Sequence, residues 1–115
     1  MNEVTVHISV LDYLRSVIPE ALVYHCPNGG WRGIREATKF KRMGTLAGVP
    51  DLTVLAPNGT TFFIEIKTDK GRLSAEQRAF ATKAKTLGYP VFTVRSIDDA
   101  RDALEEMGIE TRESV

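Results

Sequence analysis

Cysteine is almost missing from this 115-residue chain: the single Cys26 cannot close an internal disulfide, which suits a reducing cytosol. One cysteine and two histidines also supply no zinc-ligand cluster at a recognisable spacing. His25 adjoins Cys26 on a candidate strand and would point to the opposite face, so a cysteine nucleophile with a neighbouring base is poorly supported. No apolar run approaches the roughly 20 residues of a membrane span. The opening "MNEVTVHISV" has no basic stretch ahead of an apolar core, unlike a secretory signal. No glycine-rich phosphate loop occurs, so no ATP requirement is implied. Net charge is absent too: 15 basic residues balance 15 acidic ones. Any nucleic-acid surface must therefore come from uneven placement of charge. Repeats, low-complexity tracts and Pro/Gly/Ser linkers are all lacking. What remains is 43% hydrophobic and 26% charged, the profile of a globular protein, expected as one domain over 1–115 with a polar tail from about 108.

The apolar spacing predicts an amphipathic helix over 3–18, carried by Val6, Val10, Leu14 and Val17 and stopped by Pro19. "ALVYHC" (21–26) reads as a short strand, followed by the turn-rich "PNGGWRG" and a short helix over 34–44 closed by Gly44. "DLTVL" (51–55) and "TTFFIEIK" (60–67) are β-rich, and "APNG" between them makes a hairpin. Ser74 caps the next helix, with Gln77 at the capping-box position and Gly88 after its end. "PVFTV" (90–94) is a further strand, and Ser96 caps a last helix with Ile97, Ala100, Leu104 and Met107 on its apolar face. The helix between the strands at 60–67 and 90–94 is the crossover a parallel pair needs. The fold class expected is α/β, a mixed central β-sheet flanked by helices.

The strand at 60–67 is oddly charged. Alternation puts Glu65 and Lys67 on one face with Phe63, and Ile64 and Ile66 on the other. If the hairpin folds symmetrically about Asn58, Asp51 stands opposite Glu65; a two-residue turn would break that register. Two adjacent carboxylates repel unless something positive lies between them. A divalent cation such as Mg²⁺ answers this, and the Ile66 carbonyl offers a third oxygen. Lys67 beside them completes a set suited to metal-assisted phosphodiester hydrolysis. Spacing alone favours a solvated edge-strand pair, since Glu-x-Lys occurs often by chance.

Pro50-Asp51, thirteen residues, then Glu65-Ile66-Lys67 resembles the signature of the PD-(D/E)xK nuclease superfamily. More narrowly, "PNGGWRG", "RMGTLAGVPDLTVL", "FIEIKTDKGRLSAEQRAF" and "LGYPVFTVRSIDDA" resemble the VRR-NUC family over roughly residues 3–107. The resemblance implies a restriction-endonuclease-like core similar to Holliday-junction resolvases, in a stand-alone protein of the phage and bacterial kind. It implies a homodimer cutting branched DNA with Mg²⁺ or Mn²⁺, and Asp51 and Glu65 as metal ligands with Lys67 as the catalytic lysine. Gln77 falls where the family carries a glutamine near the site, and its capping role is as natural. The family's helix-one glutamate has its counterpart in Glu3, which helical phase places with His7 on the core side.

Arg32, Arg35, Lys39, Lys41 and Arg42 crowd one short segment whose only acid is Glu36, the kind of patch that neutralises phosphates. Lys70 and Arg72 would extend it, Gly29, Gly30, Gly33 and Gly71 would admit backbone N–H groups to phosphate, and Trp31 could stack on a base. The expected partners are DNA, a second copy of the chain and a helicase or repair protein, with no membrane and a cytoplasmic location. The competing reading is a non-catalytic or partner-dependent nucleic-acid-binding module on the same fold.

Overall fold

Among the described residues, three of the four α-helices start on a side-chain cap, each worth about 1 kcal/mol. In the computed structural model, which describes residues 2–27 and 33–113, Asn2 accepts from the Thr5 amide to open α1 (Glu3–Val17). Ser74 accepts from Gln77 to open α3 (Ala75–Thr86), and Ser96 accepts from Asp99 to open α4 (Ile97–Glu106). The remaining helix, α2 (Ile34–Arg42), has no side-chain cap and buries no residue. Gly44, at φ +100°, turns the chain out of it.

The strands are β1 (Leu22–His25), β2 (Leu52–Ala56), β3 (Thr60–Ile66) and β4 (Val91–Val94), side by side in that order. The first two pairings are antiparallel, and β3 pairs with β4 in parallel through the α3 crossover. Between β2 and β3 lies a three-residue turn, Pro57–Gly59, with Asn58 at φ 65° and Gly59 at φ 73°. Leu52 faces Ile64 and Ala56 faces Thr60, so the ladder is symmetric about Asn58, the first of the two registers the sequence left open. Continuing it by one residue brings Asp51 opposite Glu65. The two-residue alternative is excluded.

One face of the sheet is closed by α1 and α4. Val10 and Leu14 from α1 and Ala100 and Leu104 from α4 pack with Val54, Phe62, Ile64, Ile66 and Val94, all essentially inaccessible to water. Each of these side chains larger than alanine contributes about 1.5–3 kcal/mol by burial. The other face is only partly covered, by α3, where Phe80 meets Phe63 edge-to-face with ring centroids 5.5 Å apart. Among the described residues no helix is long and apolar enough to cross a membrane.

This topology brings distant residues to one end of the sheet. Because β1, β2 and β3 alternate in direction, the end of β1, the start of β2 and the end of β3 share an edge. The first turns of α1 and α3 reach the same edge.

Candidate active site

Asp51 enters the site on a loop that only glycine allows. Gly48 has φ +81°, and a Cβ there would run into the Glu76 carbonyl at the start of α3. The bare backbone therefore seats the loop on the helix, and the buried Pro50 follows it into the core. Asp51 is then held from two strands. Its Oδ2 accepts from the Ile66 amide at 2.7 Å, and its carbonyl accepts from the Cys26 amide at 3.3 Å. His25 Nδ1 also lies 2.7 Å from that carbonyl, so Nδ1 carries the proton.

Glu65 is the odd residue of the site: its side chain belongs to a residue only 3% exposed. Burial pushes its carboxyl up to about 9, helped by a hydrogen bond with Asp51 and by that residue's charge; Lys67 opposes the shift. Gln77 Nε2 donates to Glu65 Oε1 at 3.3 Å, while Gln77 Oε1 accepts from the Ser74 amide at 2.8 Å. Both roles left open for Gln77 are thus filled by one amide, whose oxygen closes the capping box while its nitrogen reaches the carboxyl.

Lys67 leaves the strand half-buried, its amide donating to the Val94 carbonyl at 3.0 Å. Its stem passes close to Gly71: a Cβ there would stand 3.3 Å from Lys67 Cδ. Arg95 fastens the same loop, donating from Nη1 to the Thr68 carbonyl and, at 2.7 Å, to the Gly71 carbonyl. Sequence reasoning missed Arg95. Its position directly after β4, the strand beside β3, was the available signal.

Helix α1 corrects two expectations. Glu3 is exposed, not turned to the core side, because core contact in α1 begins one turn later at Val6. Its charge is still felt at His7 and Glu65. His7 is half-buried, and burial holds its pKa below the usual histidine value, against the pull of Asp51 and with a further push from His25. The second correction concerns ligand clusters. His25 follows Val23 in the alternation of β1 and so lies on the α1 side, where its ring meets that of His7 at 4.8 Å and 83°. Ligand atoms of His7, His25 and Asp51 all lie within 4.8 Å of one another. The expectation that two histidines and a cysteine give no cluster fails because Asp51 completes one and the fold joins residues far apart in the chain.

Arg35, Lys39, Lys41 and Arg42 are exposed on α2, and Arg35, Lys39 and Arg42 share one face with Thr38 around a shallow concavity. Lys70 and Arg72 are exposed on the loop after Lys67. Arg32, Gly29, Gly30 and Trp31 lie outside the described residues.

The family described as the VRR-NUC domain matches residues 4–98 by its model. Two solved structures share the fold. One, described as a VRR_NUC domain, is 23% identical, with 90% of this chain and 94% of that one covered and a TM-score of 0.64. The other, a VRR_NUC domain protein, is 24% identical, with coverages of 93% and 88% and a TM-score of 0.74. No curated protein matches the chain.

Proposed function

We propose, from the premise that this chain belongs to the VRR-NUC family of nuclease domains, that it is a Mg²⁺- or Mn²⁺-dependent DNA endonuclease selective for branched DNA such as four-way junctions. The observation that carries the reading is Glu65, a carboxyl on a residue only 3% exposed and set beside Asp51, where burial and that neighbour push its pKa up. Such a pair is costly in a protein that does nothing with it.

A divalent cation fits the donor set. Asp51, Glu65 and the Ile66 carbonyl are hard oxygens, and Glu3 could reach the same ion from the first turn of α1. Bound there, the ion would lower the pKa of a water and neutralise charge on the phosphoryl group. The chain's own residues do the rest. The Ile66 amide orients Asp51, and Gln77 holds Glu65 toward it. Lys67, steadied by the Arg95-bound loop, orients the attacking water or donates to a phosphoryl oxygen. Arg35, Lys39, Lys41, Arg42, Lys70, Arg72 and Arg32 track the DNA backbone. Two copies related by a two-fold axis suit a four-way junction, and a helicase or repair protein could deliver the substrate. The whole of 1–115 acts as one cytoplasmic nuclease domain.

A second reading, a non-catalytic or partner-dependent module, is favoured by the exposure of Glu3, which leaves the ligand set short from α1. Cleavage separates the two. Purified protein is incubated with labelled four-way-junction, flap and linear DNA in Mg²⁺, Mn²⁺ or EDTA, beside Lys67→Ala. Metal-dependent cutting lost in the variant supports the nuclease and ranks its substrates. A folded, metal-binding wild type that cuts nothing moves the assignment to the second reading.

A further inference from the structure

Next to the oxygen-lined pair stands a set of donors of different chemistry. His7 on the second turn of α1, His25 at the end of β1 and Asp51 before β2 bring two imidazoles and a carboxylate together. We propose that these three residues form a second metal position, selective for a nitrogen-preferring transition ion of the Zn²⁺ type, beside the oxygen position of Asp51 and Glu65. The proposal goes beyond the nuclease reading and shares only Asp51 with it.

Donor chemistry sets the selectivity. Imidazole suits Zn²⁺, Ni²⁺ and Fe²⁺, whereas Mg²⁺ keeps to oxygen and water. Geometry comes next. A tetrahedral Zn²⁺ with bonds of about 2.0–2.1 Å spaces its ligands by about 3.3 Å. Ligand atoms already within 4.8 Å of one another need to draw in by about 1.5 Å at most, within reach of side-chain rotation. His25 is also prepared for the task. Its Nδ1–H is engaged by the Asp51 carbonyl at 2.7 Å, which leaves the Nε2 lone pair for an ion. That arrangement is how metal-binding histidines are commonly oriented. Placement of charge agrees: the two rings adjoin the Asp51 carboxylate, which offers a cation its counter-charge. Three protein ligands leave a fourth position open to water or a phosphate oxygen.

The edge-to-face contact of the two rings could by itself be packing, and the experiment tells the difference. Full-length protein carrying Cys26→Ser, so that no thiol contributes, is labelled with ¹⁵N and titrated with Zn²⁺ and separately with Mg²⁺. Long-range imidazole spectra should show His7 and His25 shifting together at one equivalent of Zn²⁺, with neither moving in Mg²⁺. The same shifts should persist in Glu65→Gln, where the oxygen position is weakened. His7→Phe, checked for folding by circular dichroism, should weaken Zn²⁺ binding at least tenfold in calorimetry. If the rings stay unmoved, if only one responds, or if His7→Phe binds Zn²⁺ like its parent, the position does not exist. Because the readout is the imidazole itself, a failure of the nuclease reading, seen as no cleavage in Mg²⁺, leaves this result interpretable.

Discussion

Strand β3 serves two faces that obey opposite rules. Its even residues, Phe62, Ile64 and Ile66, are apolar and fully buried under α1 and α4. Its odd residues, Phe63, Glu65 and Lys67, look toward α3, and two of the three are ionisable. On the even face, stability comes from displaced water and dense packing. On the odd face the fold accepts a buried carboxyl that it can keep only by protonating it or by supplying a cation. A single strand can hold both because alternation keeps the two sets of side chains on opposite sides of one backbone ladder.

The sharpest way to break the comparison is Phe62→Ala. It should cost about 3–5 kcal/mol in urea unfolding, a large share of a domain's whole stability. A loss below about 1 kcal/mol would mean the even face is less tightly packed than its burial indicates. Next is Gly48→Ala, which threatens the site through the backbone. With φ +81° and the α3 backbone in the way, it should cost on the order of 2–3 kcal/mol. It should also disturb the Asp51 amide resonance, whereas a silent variant would show that the loop can part from α3.

The odd face is tested by pH. Glu65 has a folded pKa raised to about 9 from an ordinary 4.5, so the folded state holds a proton that the unfolded chain releases. That contribution is complete below pH 4.5 and is lost as pH rises toward 9. Metal-free protein should therefore melt lower at pH 8.5 than at pH 6, by on the order of 10 °C for a domain of this size. Glu65→Gln should flatten the trend, and added Mg²⁺ should restore the wild type at high pH. A metal-free melting temperature that does not fall over this range would place the titration elsewhere.

Smaller effects sharpen the boundary between support and chemistry. Arg95→Ala removes the donor that gathers the Thr68 and Gly71 carbonyls, and should cost about 1 kcal/mol. Its larger signature should be slower cleavage at unchanged DNA affinity; equal rates would free Lys67 from dependence on this loop. Smallest in stability is the triple change of Arg35, Lys39 and Arg42 to Gln on the exposed face of α2, within about 0.5 kcal/mol. Its slope of log affinity against log salt should lessen by about 2.7 if all three meet phosphates. An unaltered slope would remove α2 from the DNA-binding surface.

Much of this was legible before any coordinates. Apolar spacing located α1 and α4, Ser74 with Gln77 marked the start of α3, and Gly44 ended α2. Counting residues to Asn58 placed Asp51 against Glu65. These features are local: caps, turns and periodicity act over a few residues, so their physics is written in neighbouring letters. What the sequence by itself determined is therefore the order of elements and the two registers open to the hairpin, of which the structure chose the one that sets Asp51 opposite Glu65.

Only the tertiary structure decided which residues join that pair. It turned Glu3 outward, brought the exposed His25 ring against His7, gave Gln77 its second contact and set Arg95 over the loop that follows Lys67. Those outcomes depend on how helices settle on the sheet and which strand ends share an edge. Groups separated by 12 to 27 positions meet only after the core has closed, and no local pattern records the meeting.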